Sequence, residues 1–133
     1  MLEDLNNELN ETVAEFNSLL KASKQAELTR TTKIMDVYEK LQINMELSYL
    51  TSYVLDLLIL IKDNLRTERD QFPHKRVTCD LRIKEANEYI AYYKDFNFTF
   101  NSRSRIRSDE LKFLENHTID KVDDTLDDQT DEL

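Results

Sequence analysis

Apolar residues recur at helical spacing along most of this chain. Leu2, Leu5, Leu9, Val13, Phe16 and Leu20 step by three or four, with Glu3, Asp4, Asn7, Glu8, Glu11, Glu15 and Lys21 on the other faces. One clean stripe predicts an amphipathic helix over residues 2–28, with one side on a neighbour and the other in water. Thr29, Thr31 and Thr32 follow and are candidate N-caps for a second helix, since a hydroxyl accepts from the first free backbone N–H groups. Nothing there forces a break, so the two helices are either one bent rod or a hairpin. A lone stripe needs a neighbour, and that favours the hairpin.

The second helix is predicted from about Thr32 to Gln71, roughly 60 Å long at 1.5 Å per residue. Two stripes overlap on it. One runs through Ile34, Tyr38, Leu41, Met45, Leu55 and Ile59, interrupted by Ser48 and Ser52; the other runs through Ile43, Leu47, Leu50, Val54, Leu57, Ile61 and Leu65. The stretch Leu47–Ile61 is apolar on nearly every side and carries one charge, Asp56. An unpaired buried carboxylate is costly, so Asp56 is expected at the wet seam of this helix or else paired with a basic residue of a partner, the seam being favoured. Phe72-Pro73 ends the helix, because a residue before proline avoids helical geometry.

A third helix is expected over about Lys75 to Asp95, on Cys79, Ile83, Ala86, Ile90 and Tyr93, with Leu81 and Tyr89 widening the face. Folded back at Pro73 it covers the second half of helix two while helix one covers the first half, a zigzag that leaves apolar surface open. Phe96, Phe98 and Phe100 alternate with polar residues, a period of two that predicts an extended segment. Arg103, Arg105 and Arg107 then read as a solvated loop, or as a contact to an acidic partner or to the chain's own tail. Ser108 caps a short helix to His117 carrying Leu111, Phe113 and Leu114. The organisation expected is a long-helix bundle over 1–95, an extended segment plus short helix over 96–119, and a disordered acidic tail over 120–133.

Composition removes most chemistry. The chain of 133 residues has no glycine, so it cannot build phosphate-cradling loops or a nucleophile elbow. The tail 120–133 holds seven acids and one lysine, so six of the nine net negative charges sit there, and no basic face for nucleic acid remains. Cys79 is the sole cysteine, and with His74 and His117 it falls short of a metal-ligand set. On helix three's apolar stripe it is a small hydrophobe. The 15-residue run Leu47–Ile61 is short for a membrane span and has Asp56 at its centre. No catalytic, cofactor or metal site is expected.

The order of elements resembles a known family. VAEFNSLLKASK (Val13–Lys24) closes helix one, a long helix ends in VLDLLILIKDNL (Val54–Leu65), and Phe72-Pro73 precedes an Asn/Glu-rich third helix. Over about residues 10–95 this is similar to the subunit 22 family of the Mediator complex, the RNA polymerase II coactivator. The resemblance implies a non-enzymatic head-module subunit in the nucleus. It implies a helical bundle shared with a Mediator subunit 11-like partner, contacts to the large head scaffold subunit, and a relay of regulation to polymerase II. Other classes fit the same pattern: a coiled-coil subunit of a kinetochore or vesicle-tethering complex, or a stand-alone acidic binding module.

The fold expected is therefore all-α, an elongated bundle of three long helices completed by a partner subunit, with a short C-terminal helix and an acidic tail. The partner interface is expected on Phe16, Leu20, Leu41, Met45, Leu47, Leu50, Tyr53, Val54, Leu57, Leu58, Ile61 and Leu65. Such a chain is an obligate hetero-oligomer subunit, with no direct nucleic acid or membrane contact.

Overall fold

In the computed structural model the chain forms three helices, α1 (Leu2–Glu27), α2 (Ile34–Gln71) and α3 (Arg76–Glu132), with a single 3-10 turn at Pro73–Lys75 before α3. The structure describes residues 1–28 and 33–132, and side chains as far as residue 116. Among the described residues there is no strand, so the fold is all-α, as the sequence pattern predicts. The candidate caps Thr29, Thr31 and Thr32 lie outside the described residues. The helix begins after Lys33, whose side chain makes no cap bond.

The three helices run up, down and up. Leu2, Leu5 and Leu9 of α1 pack beside Ile61, Leu65, Cys79 and Ile83 at the end where α2 turns into α3. Phe16 packs in the middle with Leu47, Leu50, Val54, Tyr93 and Phe100. Glu27 pairs with Arg107 towards the other end. The first two helices are thus a hairpin rather than one bent rod. Both α1 and α3 lie antiparallel to α2.

The turn between α2 and α3 follows from Pro73. Phe72 leaves helical geometry at φ −127° and ψ 88°, as the residue before a proline must. Two ion pairs then clasp the hairpin: Lys75 Nζ donates to Glu68 Oε1 at 2.8 Å, and Arg69 Nη1 donates to Asp80 Oδ1 at 2.9 Å. The hydrogen bond from Lys75 holds the Glu68 carboxyl below its ordinary value, and Glu68 raises Lys75 in return.

The inward positions obey a heptad. Along α2 the buried residues Val37, Lys40, Asn44, Leu47, Thr51, Val54, Leu58, Ile61 and Leu65 alternate steps of three and four, with Leu50 and Leu57 buried beside this seam. Cys79, Ala86, Tyr93 and Phe100 of α3 are buried seven residues apart. A repeat of 3.5 keeps one seam facing a partner helix along a gentle supercoil, which is how long antiparallel helices stay in contact. Polar residues on the seam donate to the backbone one turn back: Thr51 Oγ1 to the Leu47 carbonyl, Thr12 Oγ1 to that of Glu8, and Asn44 Nδ2 to that of Lys40.

Three expectations are corrected. The third helix does not stop near Asp95; α3 continues unbroken, and no separate short helix begins at Ser108. The segment Phe96–Phe100 is helical, not extended. Successive helical residues turn by about 100°, so Phe96 and Phe100 share a face while Phe98 points away. The first two rings stack with centroids 5.6 Å apart, and Phe98 is 75% exposed. No glycine or proline follows Pro73, and the inward stripe of Tyr93, Phe96 and Phe100 sustains the helix through the F-x-F-x-F string. Third, the zigzag gives way to a bundle in which α1 and α3 flank α2 at the same levels, because α1 reaches back as far as Leu65. The side chains of the acidic segment 120–133, expected to be a disordered tail, lie outside the described residues.

Candidate functional site

The two halves of α2 differ in what they present to solvent. In the second half most apolar residues are used inside, Ile59 and Leu60 being half exposed. Val54, Leu57, Leu58, Ile61 and Leu65 are all buried, by α1 on one side and α3 on the other. Asp56 is exposed, at the wet seam predicted for it. By length and hydropathy alone α2 is apolar enough to cross a membrane, more than the run Leu47–Ile61 suggests. Packing within the chain buries 44% of its most apolar window.

Phe16 anchors the middle layer. It is 1% exposed and meets Tyr93, Phe96 and Phe100 edge-on, with centroids 5.4, 5.5 and 6.0 Å away. Burial pushes the Tyr93 phenol above its ordinary value. On the other flank of α2, Ser48 and Ser52 turn out to face α3. Ser48 Oγ donates to Asn97 and Asn101, and Ser52 Oγ donates to Asn97 Oδ1 at 3.4 Å. The serines that interrupt the first sequence stripe are therefore a polar, narrow contact between α2 and α3.

The three arginines that read as a loop lie on α3. Arg107 donates to Glu110 Oε2 at 2.8 Å and to Glu27 across the bundle. Partial burial works against its charged form, but the two carboxylates outweigh it and raise its pKa. Arg103 sits over the Phe100 ring, 5.8 Å from the centroid. Arg105 borders a shallow groove with Ser104 and Ser108.

The first half of α2 reverses the pattern. Its seam carries Lys40, Asn44 and Thr51, all buried, while Met35, Tyr38, Met45 and Tyr49 stand outward. Met45 is 57% exposed and Tyr49 73% exposed. Together with Leu41, Leu50 and Tyr53 of α2 and Thr12, Glu15 and Leu19 of α1, they line a groove of about 780 Å3 running between the two helices. Gln42 and Glu46 complete its wall, and no lysine or arginine is among its described lining residues. At one end Tyr38 Oη donates to Glu115 Oε1 of α3 at 3.3 Å, which fixes that ring against the bundle.

The twelve residues expected at a partner interface therefore divide. Phe16, Leu47, Leu50, Val54, Leu57, Leu58, Ile61 and Leu65 are buried by the chain's own α1 and α3. Leu20 is half-buried against the same core. Leu41, Met45 and Tyr53 line the groove, and Leu50 contributes its edge. The apolar surplus assigned to a partner is largely consumed within the chain, because α3 runs the full length of α2. The groove also recruits Leu19, Tyr38, Tyr49, Glu15 and Glu46, which the sequence reading leaves out of the interface. The signal for the tyrosines is visible: Tyr38, Leu41, Met45, Tyr49 and Tyr53 step by three or four.

Among the described residues no three of His, Cys, Asp and Glu come together in a way that could hold a metal ion. His74 is exposed beside Phe72, and Cys79 is buried; His117 lies outside the residues with described side chains. No protein-family model, curated protein sequence or solved structure matches this chain.

Proposed function

We propose that this chain is a non-enzymatic structural subunit of a multiprotein assembly, attached through the open face of α2. One observation carries the reading: a continuous stripe of Tyr38, Leu41, Met45, Tyr49 and Tyr53 lines a groove at the surface while α2's heptad seam is already occupied. A seam is what a helix needs for its own bundle. A second apolar stripe on the same helix suits another helix, and tyrosine and methionine are enriched where proteins meet. Covering what these side chains leave exposed contributes about 25 cal/mol per Å2 of apolar area before association costs are subtracted.

The assembly that the sequence resemblance favours is the Mediator head, in the nucleus. There the chain would share a helical bundle with a subunit 11-like partner, contact the large head scaffold, and help relay regulation to RNA polymerase II. The region of resemblance, about 10–95, contains the whole groove. It needs no contact with nucleic acid or membrane. A helical subunit of a kinetochore or vesicle-tethering complex is the second reading, which the same groove would serve.

Affinity purification of the full chain from its own cell, beside a Met45→Ser/Tyr49→Ser double variant, tests both levels. Mediator head subunits are expected with the unaltered chain and lost with the variant, whose circular dichroism and urea midpoint stay unchanged. Recovery of kinetochore or tethering subunits instead would favour the second reading. Undiminished recovery with the variant would remove the groove as the attachment face.

A further inference from the structure

Resting on that reading, the charge around the groove specifies its occupant more closely. Glu15 of α1 and Glu46 of α2 stand in its two walls, and no lysine or arginine is among its described lining residues; Arg105 of α3 lies across Leu41, Met45 and Tyr49, in the adjoining shallow groove. The ion pairs of the described residues lie elsewhere, at the α2–α3 turn and around Arg107. Among the described residues Glu46 Oε1 accepts from the Gln42 amide, at 3.5 Å, and forms no ion pair. Tyr49 and Tyr53 belong to the same lining, and aromatic rings attract cations through their quadrupole.

We infer that the groove receives one amphipathic helix of another polypeptide, whose apolar stripe is flanked by lysine or arginine. The apolar floor of Leu19, Leu41, Met45 and Leu50 would take the stripe. Glu15 on one wall and Glu46 on the other would meet the basic flanks, which are then desolvated at the rim rather than in the core. A second copy of this chain is the poorer occupant. Two copies face to face would bring their Glu15 and Glu46 side chains together, on molecules of net charge −9. Like charges across an interface disfavour association.

Two helical peptides of about 20 residues serve as probes, long enough to hold a helix when docked. Both carry leucine at alternating steps of three and four; one has lysine on the flanks and its twin has glutamate. Fluorescence anisotropy is followed with the full-length chain and two double variants. The lysine peptide is expected to bind, and to bind at least about tenfold more tightly than its twin. Glu15→Gln/Glu46→Gln should narrow that gap, and Met45→Ser/Tyr49→Ser should remove binding of both. Raising the salt concentration should weaken the lysine peptide selectively. Equal binding of the twins, binding of neither, or a gap unchanged by Glu15→Gln/Glu46→Gln would overturn the inference. So would a concentration-dependent dimer of the chain alone that Met45→Ser/Tyr49→Ser dissolves, since the occupant would then be a second copy. The structural-subunit reading stands or falls separately. Its attachment through the groove fails if cellular partners persist on the Met45→Ser/Tyr49→Ser variant, whatever the peptides do.

Discussion

The two halves of α2 belong to one unbroken helix and are patterned in opposite senses. From Val54 to Leu65 the seam is aliphatic and Asp56 and Asp63 face water. From Val37 to Thr51 the seam includes Lys40, Asn44 and Thr51, while tyrosine and methionine face outward. The second half needs only the chain's own helices. The first half has a polar interior contact and an apolar exterior one, which is the pattern of a helix with neighbours on two sides. Ile59 and Leu60, each about half exposed, show that the change is graded rather than abrupt.

Substitutions should separate the halves by what they disturb. The largest effect is expected in the sealed layer. Phe16→Ala should cost about 3–5 kcal/mol in urea unfolding, because it removes a ring surrounded by three others and leaves a cavity. Leu58→Ala should cost about 2–5 kcal/mol by the same mechanism, without the aromatic contacts. A loss under about 1 kcal/mol at either site would mean that the layer is not packed as described.

On the polar part of the seam the sign should reverse. Asn44 Oδ1 is buried with no hydrogen-bond partner among the described residues. Asn44→Leu is therefore expected to raise stability by about 1 kcal/mol, since an unpaired buried acceptor is replaced by apolar contact. Its sedimentation should show whether the chain then begins to self-associate, as buried seam asparagines restrict register and partner number. On the open face, Met45→Ser/Tyr49→Ser should shift stability by no more than about 0.5 kcal/mol, while its effect on partner binding is complete.

The smallest effect concerns the turn. Glu68 is depressed below 4.5 by Lys75, so its contribution is present above the unfolded value and fades as pH falls through the lower folded one. Below about pH 4.5 the melting temperatures of the unaltered chain and of Glu68→Gln should converge, from a small difference at neutral pH. A difference that grew on acidification would contradict the assigned sign.

Much of this architecture is legible in the residues. The stripe of α1, the stop at Pro73 and the wet position of Asp56 all follow from spacing, backbone restriction and the cost of burying charge. Two features misled. The string Phe96 to Phe100 satisfies a period of two, yet Tyr93, Phe96 and Phe100 also satisfy a helical period, and the latter continues from Cys79. With no glycine or proline to interrupt it, the longer pattern prevails. The seam of α2 was obscured because Lys40, Asn44 and Thr51 occupy inward positions, so hydrophobicity alone follows the outward stripe as readily as the inward one. Only the fold distinguishes them, since it depends on α3 running the whole length of α2. The acidic rim needed the same information, because Glu15 and Glu46 are separated by 31 positions in sequence and become neighbours of one groove only after α1 folds back.

The central claim is that the outward stripe on the first half of α2 meets another polypeptide. A photocrosslinking residue at Tyr49, in the full chain expressed in its own cell, reads this directly, with the same residue at exposed Lys94 of α3 as the control. The account predicts a discrete crosslinked product with a second polypeptide from position 49 and none from position 94. Position 49 yielding no product, or only the products obtained at position 94, would contradict it.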